Sequence, residues 1–175
     1  MFSKINEWRK SSKRNNALLV VAILIPFIWF VYFGPYHVTY IKGRSSKYRW
    51  AVFTITKPEE IIRKNVHYLI KWPDNRAVDA GLRPGEIIIK KTVCMPGELL
   101  EIKNTTINCE GVFVSTFTNK SEKDDSVYPP FPFPARSRIA DDQFYVEGDT
   151  THSYDSRNFG FVPRTAFWGT VLFGF

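Results

Sequence analysis

Cysteine, methionine and histidine are scarce in this chain, and their scarcity narrows the chemistry open to it. The 175 residues include two cysteines, two methionines and three histidines. A structural zinc site needs four ligands close together, and two cysteines with three scattered histidines make a poor case for one. We therefore predict that the protein holds no metal.

Acidic residues are outnumbered by basic ones, which bears on the partners of the chain. The 24 lysines and arginines exceed the 17 aspartates and glutamates, and the formal net charge is +7. Zinc-finger spacing and a basic helical stripe, the usual companions of a nucleic-acid site, are both absent. We expect no nucleic-acid partner and predict that the basic surface faces anionic lipid headgroups.

Charge is missing altogether from residues 17–34, which read ALLVVAILIPFIWFVYFG. A helix of this length extends about 27 Å, close to the thickness of the hydrocarbon core of a bilayer. A cleavable secretory signal is the alternative, but its apolar region is usually shorter and ends in small residues. This run ends in aromatic residues, which are typical of a membrane interface. We predict an uncleaved transmembrane anchor over residues 17–34.

Basic residues on both sides of the run indicate its orientation. Five precede it and four follow it closely, and the positive-inside rule assigns the richer side to the cytoplasm. Residues 1–16 are then a cytoplasmic N-terminus, and residues 35–175 form a domain on the other side of the membrane.

Short runs rich in β-branched and aromatic residues follow the anchor and predict a mainly β fold. Pro-Gly and Glu-Gly turn signals separate several of them. One segment, residues 58–66, favours a helix, with acidic residues at its start and basic residues near its end. The predicted strands are residues 52–55, 68–72, 87–93, 99–102, 112–114, 144–146 and 168–173.

The two cysteines flank a predicted hairpin. Cys94 precedes and Cys109 follows residues 99–107, so the two thiols could lie opposite each other. In an oxidising compartment they would form a disulfide. Two buried, unpaired thiols are the alternative.

Proline is concentrated in residues 128–134, which read YPPFPFP. Runs of this kind favour an extended, polyproline-like connection. We interpret the segment as a stiff linker within one β domain. The alternative is the wall of a peptide groove that exposes Phe131 and Phe133.

The richest concentration of chemical groups is residues 148–160, GDTTHSYDSRNFG, a charged loop between apolar runs. This loop resembles a signature near the C-terminus of bacterial type I signal peptidases. Residues 90–98, KKTVCMPGE, resemble the lysine box of the same family. The resemblance implies a mainly β, signal-peptidase-like domain in the periplasm, tethered to the bacterial inner membrane by one N-terminal helix.

The family uses a serine nucleophile and a lysine general base, and needs no cofactor. A lysine with an ordinary pKa of about 10.4 is protonated at neutral pH, so the base must be buried to lose its charge. Strand alternation does not distinguish Lys90 from Lys91, because both faces of the strand carry isoleucines. In the family's box, counting back from Pro96-Gly97-Glu98 identifies Lys90.

The nucleophile is expected between the anchor and the first strand, where Ser45 and Ser46 lie. The segment weakly resembles the corresponding run of TraF-type conjugative-transfer peptidases, which aligns Ser46 with the catalytic serine. Lys47 and Tyr48 replace the Met-Pro that usually follows. Ser45 is the alternative.

The resemblance also assigns supporting roles within residues 148–160. Asp155 and Arg157 match a structural ion pair, and Ser153 matches a serine that orients the lysine amine. Ser156 should point elsewhere, and Asp149 should cap its own turn. A triad of His152 with Asp155 is disfavoured because triad members are rarely neighbours in one loop.

The features together predict a membrane-anchored Ser46–Lys90 endopeptidase that removes signal sequences. Short length, a single anchor and the proline-rich run fit the TraF-type branch. The expected partners are membrane-inserted precursors such as pilins and the conjugative transfer apparatus. Two alternatives remain: a general leader peptidase, and a non-catalytic assembly factor of a conjugative type IV secretion system on the same fold.

Overall fold

A computed structural model describes residues 18, 20–26, 28–29, 34–41, 47–72, 83–117 and 131–175. The chain divides into two compact units, Met1–His37 and Val38–Phe175. In the first unit, the described residues between 18 and 29 are helical. Among the described residues, no helix is both long and apolar enough to cross a membrane. Residues 1–16 and seven residues of the predicted anchor, 17, 19, 27 and 30–33, lie outside the described residues.

The β-strands are arranged in two sheets. The seven-stranded sheet has the order β1-β2-β11-β3-β4-β9-β10, and the four-stranded sheet has the order β7-β6-β5-β8. The mainly β prediction is therefore confirmed. The strands are β1 (Tyr36–Tyr40), β2 (Trp50–Ile55), β3 (His67–Lys71), β4 (Ile87–Cys94), β5 (Leu99–Lys103), β6 (Thr106–Cys109), β7 (Val112–Thr116), β8 (Arg136–Arg138), β9 (Gln143–Glu147), β10 (Val162–Pro163) and β11 (Phe167–Gly174).

The predicted helix over residues 58–66 is wrong, because this segment consists of turns and irregular backbone. Several of its polar groups bond to β4 and β3. Asn65 has a left-handed φ of 61°, and its N–H donates to Thr92 O at 2.7 Å. Thr92 N–H donates to Val66 O at 3.1 Å, and Arg63 N–H donates to the Tyr68 hydroxyl at 2.9 Å. Long-range bonds thus replace the i→i−4 ladder that a helix requires.

Strand β4 is an interior strand of the seven-stranded sheet and carries the predicted lysines. It pairs with β3 on one side and β9 on the other, both antiparallel. Ile88 packs against a core cluster that includes Trp72 and Phe144, whereas Ile89 belongs to a cluster with Phe53 and Leu69. Both faces of the strand are therefore apolar.

A disulfide joins the end of β4 to the end of β6. Cys94 and Cys109 are bonded with their Cα atoms 5.8 Å apart, and both are almost completely buried. Of the two possibilities that the sequence leaves open, a disulfide and two unpaired thiols, the structure contains the disulfide. The bridge closes a loop over a sequence separation of 15 residues. It links the four-stranded sheet to an interior strand of the other sheet.

The described end of the proline-rich run packs onto the domain. Phe131 N–H donates to Arg157 O at 2.9 Å, and the Phe133 ring lies 5.1 Å from that of Phe161. Both phenylalanines are half-buried. The structure does not expose them as a groove wall would require. Residues 128–130 lie outside the described residues.

Candidate active site

Lys90 is a charged side chain held in the interior of the sheet. It is 2% exposed and lies opposite Tyr68 in the register of β3 with β4. Burial lowers the pKa of Lys90 from 10.5 to about 8, although the nearby Asp155 carboxylate opposes this effect. The difference corresponds to roughly 3 kcal/mol of lost solvation for the ammonium. A substantial fraction of neutral amine therefore exists near pH 8, as a general base requires.

Lys91 has different surroundings. It is only half-buried, and its register partners are His67 on β3 and Glu147 on β9. Adjacent residues of a strand point to opposite faces, so Lys91 faces away from the side chain of Lys90. The structure thus distinguishes two lysines that strand alternation alone left equivalent.

Ser153 contacts the amine of Lys90. The Nζ atom donates to Ser153 Oγ at 2.5 Å, across 63 residues of sequence. Ser153 is 3% exposed, so water does not compete freely for this contact. The bond restricts the direction of the amine lone pair, which is the arrangement expected for an orienting serine.

A buried ion pair supports the loop that carries Ser153. Arg157 donates to both carboxylate oxygens of Asp155, with Nε at 2.8 Å and Nη2 at 2.7 Å. Asp155 is fully buried and Arg157 is 2% exposed. Isolated charges in such a place would be costly, but a bidentate pair with further hydrogen bonds is tolerated. Gly148 N–H supplies one such bond to Asp155 at 2.9 Å.

The same two residues shape the backbone around the site. Asp155 is the N-cap of a one-turn helix, α1 (Ser156–Phe159), and forms a capping box with Asn158. The Arg157 guanidinium also donates to the carbonyls of Thr150 at 3.1 Å and Thr116 at 3.3 Å. Arg157 therefore ties the loop to the end of β7.

Two further sequence predictions concern this loop. Ser156 Oγ accepts the Val146 N–H at 2.9 Å, so this serine points away from Lys90, as predicted. The Asp155 carboxylate is engaged with Arg157 and Gly148, which is the geometry of a structural ion pair.

Asp149, which the sequence predicts to cap its own turn, also bonds residues outside the loop. Its Oδ1 lies 2.7 Å from His67 Nε2, and its Oδ2 accepts the Lys47 N–H at 3.2 Å. Burial of Asp149 raises its pKa, but the bonds from His67 and Lys47 outweigh that effect, and the pKa is lowered. Sequence reasoning missed His67 because 82 residues separate it from Asp149.

Ser45 and Ser46, the predicted nucleophile and its alternative, lie outside the described residues. Lys47 is the first described residue that follows them. Because its N–H is bonded to Asp149, that amide is already engaged and is a poor donor for a substrate oxyanion.

Glu147 is a second titratable group that sequence reasoning missed. It is 6% exposed, and Ser115 Oγ donates to it at 2.5 Å. Burial, reinforced by the Asp155 charge, raises the pKa of Glu147 from 4.5 to about 7. This carboxyl therefore changes charge close to neutral pH.

One cluster of the described residues has atoms suited to a metal. The sulfurs of Cys94 and Cys109 and the Glu98 carboxylate lie within 4.8 Å of one another. The disulfide occupies both sulfurs, and a metal requires thiolates. Glu98 instead accepts the Met95 N–H at 2.7 Å and the Lys64 ammonium at 2.8 Å.

The chain is similar to several known proteins. A crystal structure of a signal peptidase I from Enterococcus faecalis shares 22% identity, with a TM-score of 0.39, and the match covers 66% of this chain and 97% of that one. A protein described as probable signal peptidase I-1 from Synechocystis sp. is 30% identical across 93% of this chain and 82% of its own length. A family model described as signal peptidase, peptidase S26, matches residues 11–175. Because both the model and the relative match nearly the whole sequence, the chain belongs to the peptidase S26 family of signal peptidases.

Proposed function

We propose that this protein is a membrane-anchored serine endopeptidase in which Ser46 and Lys90 cleave signal sequences from exported precursors. The observation that carries the proposal is the environment of Lys90. Its amine is buried, its pKa is about 8, and Ser153 Oγ holds it at 2.5 Å. A surface lysine would extend its ammonium into water, whereas a general base must remain where its neutral form is favoured.

The proposed reaction follows from these groups. Neutral Lys90 accepts the proton of Ser46 Oγ as that oxygen attacks the peptide carbonyl. The tetrahedral intermediate breaks down when the Lys90 ammonium returns a proton to the departing amine. Water, deprotonated by Lys90 in turn, then releases the acyl group from the serine. No step requires a metal or an organic cofactor.

Backbone donors would stabilise the oxyanion of the tetrahedral intermediate. Because the Lys47 amide is bonded to Asp149, we assign this task to N–H groups at Ser46 or just before it. Arg157 and Asp155 do not touch the substrate in this proposal. They hold the loop that directs Ser153 toward Lys90.

The proposed substrate is a membrane-inserted precursor, such as a pilin of a conjugative transfer system. The support for it is the weak resemblance of the segment with Ser45 and Ser46 to TraF-type peptidases, together with the short length, the single predicted anchor and the proline-rich run. A general leader peptidase would carry the same catalytic groups. A depletion strain for the housekeeping enzyme separates the two, because the general enzyme would restore its growth.

The proposed anchor is residues 17–34, with the β domain in the periplasm. The described residues of this run between 18 and 29 are helical, and large apolar side chains among them are exposed, Ile23 by 62% and Trp29 by 64%. Alkaline phosphatase fused after Phe175 should be active, and green fluorescent protein at the same place should be dark. The opposite pair of results contradicts the orientation, and a mature N-terminus beyond residue 30 contradicts the anchor.

The test of the dyad is precursor processing by three variants. Ser46→Ala and Lys90→Met should each abolish cleavage while the variants remain folded. Lys91→Met is the matched control, since it removes the neighbouring ammonium from the other face of β4, and it should cleave nearly normally. Normal processing by Ser46→Ala would mean either that Ser45 is the nucleophile or that the protein is not the enzyme that cleaves the precursor. Normal conjugation by the Ser46/Lys90 double variant would leave only the assembly factor.

A further inference from the structure

Three segments that are far apart in the sequence meet at the carboxylate of Asp149. Oδ1 bonds His67 Nε2, on β3, at 2.7 Å. Oδ2 accepts the backbone N–H of Lys47 at 3.2 Å. The side chains of His67 and Asp149 are 16% and 12% exposed, so both are largely shielded from water. One carboxylate thus connects β3, the 148–160 loop and the segment that precedes β2.

His67 also contacts that preceding segment directly. Its ring meets the ring of Tyr48 edge to face, with centroids 5.4 Å apart and planes inclined by 79°. Tyr48 packs in turn against Gly174 so closely that a Cβ there would lie 2.5 Å from the tyrosine ring. His67 therefore restrains two consecutive residues, Lys47 through Asp149 and Tyr48 through its own ring.

The 148–160 loop contacts Lys90 and the residue that follows Ser46. Near its start, Asp149 binds the residue that follows Ser46. Four residues later, Ser153 binds the amine of Lys90. Consecutive Cα atoms are about 3.8 Å apart, so holding the Lys47 amide limits where the Cα of the preceding residue can lie. A displacement of about 1 Å between reacting groups can reduce a rate by roughly 100-fold.

We propose that His67 and Asp149 are positioning residues that hold the Lys47 backbone and thereby set Ser46 against Lys90, an inference that rests on the proposed function. Neither residue touches the reacting atoms. The carboxylate is needed because it offers an acceptor oxygen to each of two donors, the imidazole and the amide. An asparagine at position 149 has one acceptor oxygen and cannot serve both donors in the same way.

Amide hydrogen exchange on the full chain in detergent micelles tests the contact without any substrate. Asp149→Asn and His67→Ala should both accelerate exchange at the Lys47 amide, by roughly 10-fold or more for the loss of about one hydrogen bond. The matched control is Glu101→Gln, which breaks an ion pair to Arg136 of similar length, 2.8 Å, on the four-stranded sheet. It should leave exchange at Lys47 unchanged.

Precursor cleavage tests the consequence for the reaction. His67→Ala should lower kcat by about 10- to 100-fold with little change in KM, because the substrate is still bound while the serine is misplaced. The pH midpoint of kcat should stay at the wild-type value, since Lys90 keeps its surroundings. His67→Gln should recover a substantial part of kcat, because its amide can donate to Asp149 in place of Nε2.

The outcomes distinguish this inference from the function on which it rests. Unchanged exchange at Lys47 in His67→Ala overturns the positioning role, and so does wild-type kcat despite faster exchange. Equal inactivity of His67→Ala and His67→Gln, with normal exchange at Lys47, would make His67 a participant in the reaction and also overturn it. If the wild-type chain cleaves no precursor, the proposed function fails, while exchange at Lys47 still decides whether the pair anchors this backbone.

Discussion

Cleavage should accelerate about tenfold for each unit of pH below the pKa of Lys90 and level off above it. The reason is that only the neutral amine accepts the serine proton. Burial lowers this pKa from 10.5 to about 8, against the opposing charge of Asp155. A base with a lowered pKa gives a rate that rises with pH, so the profile has its ascending limb below pH 8.

The size of the effect follows from the fraction of neutral Lys90. That fraction is about one half at pH 8, about one tenth at pH 7 and about one hundredth at pH 6. Between pH 6 and a plateau near pH 9, kcat should therefore rise by roughly 100-fold. A water-exposed lysine would give a limb that continues beyond pH 10.

The assay is single-turnover cleavage of a synthetic precursor peptide by the full chain in detergent. Glu147 is the necessary control, because its pKa of about 7 lies within the same range. Glu147→Gln removes that titration and keeps an acceptor for Ser115. The midpoint near pH 8 should survive in this variant, which assigns the limb to Lys90.

Three results would refute the reasoning. A rate independent of pH between 6 and 9 would mean that no base titrates in this range. A midpoint above about 10 would mean that burial does not lower the pKa of Lys90 in solution. Loss of the ascending limb of the pH profile in Glu147→Gln would mean that the titrating group is the Glu147 carboxyl and not Lys90.

Three other predictions follow from contacts of the described residues. Ser153→Ala should lower kcat by about 10- to 100-fold and leave KM nearly unchanged, because it removes the partner that orients the lysine amine. Gly160→Ala should lower the free energy of unfolding by about 2–4 kcal/mol in urea titrations, since Gly160 has a φ of +87° and its Cβ would lie 2.7 Å from Phe131. Mass spectrometry without reductant should find Cys94 and Cys109 in one linked peptide pair, and reduction should cost about 3 kcal/mol.

The sequence predicts the strands whose conformation follows from their own side chains, and it fails where long-range hydrogen bonds decide the conformation. Residues 87–93 and 144–146 form strands because their β-branched and aromatic side chains fit a pleated, buried surface. Residues 58–66 were mispredicted because their acidic start and basic end suit a helix, whereas the pairing of Asn65 and Val66 with Thr92 is long-range. The predicted strands do not include β1, β6, β8 and β10, although the predicted hairpin over residues 99–107 overlaps β6. Strands β8 and β10 are too short to show an alternating pattern.

In the candidate site, too, contacts between residues close in sequence are predictable and contacts between distant residues are not. The spacing of Asp155 and Arg157 within one loop made their pairing predictable, and the resemblance to signal peptidases identified Lys90 and Ser153. The contact between Asp149 and His67 joins residues 82 positions apart, and no local pattern signals it. Burial of Glu147 also depends on the packing of β9 against β4, which alternation within one strand does not determine.

Glu147 allows a stability test that is independent of activity. Burial, with help from Asp155, raises its pKa from 4.5 to about 7. Between these two pH values the folded protein binds a proton that the unfolded chain releases. Stability from this group is therefore fully present below pH 4.5 and is lost as pH rises through 7. The loss amounts to roughly 3 kcal/mol at pH 8.

Glu147→Gln should remove the loss of stability at high pH, because the amide does not ionise. The amide oxygen can still accept the hydrogen bond from Ser115. In urea titrations at pH 8 the variant should be more stable than the wild type, by about 1–3 kcal/mol after allowance for its lost attraction to Lys91 and Arg157. The advantage should shrink toward zero as pH falls to 4.5, where both chains are neutral at this position. Glu101→Gln is the control, since that carboxylate pairs with Arg136 at the surface, where an ion pair contributes little. A variant destabilised equally at both pH values would show instead that Glu147 is ionised and favourably paired in the folded protein.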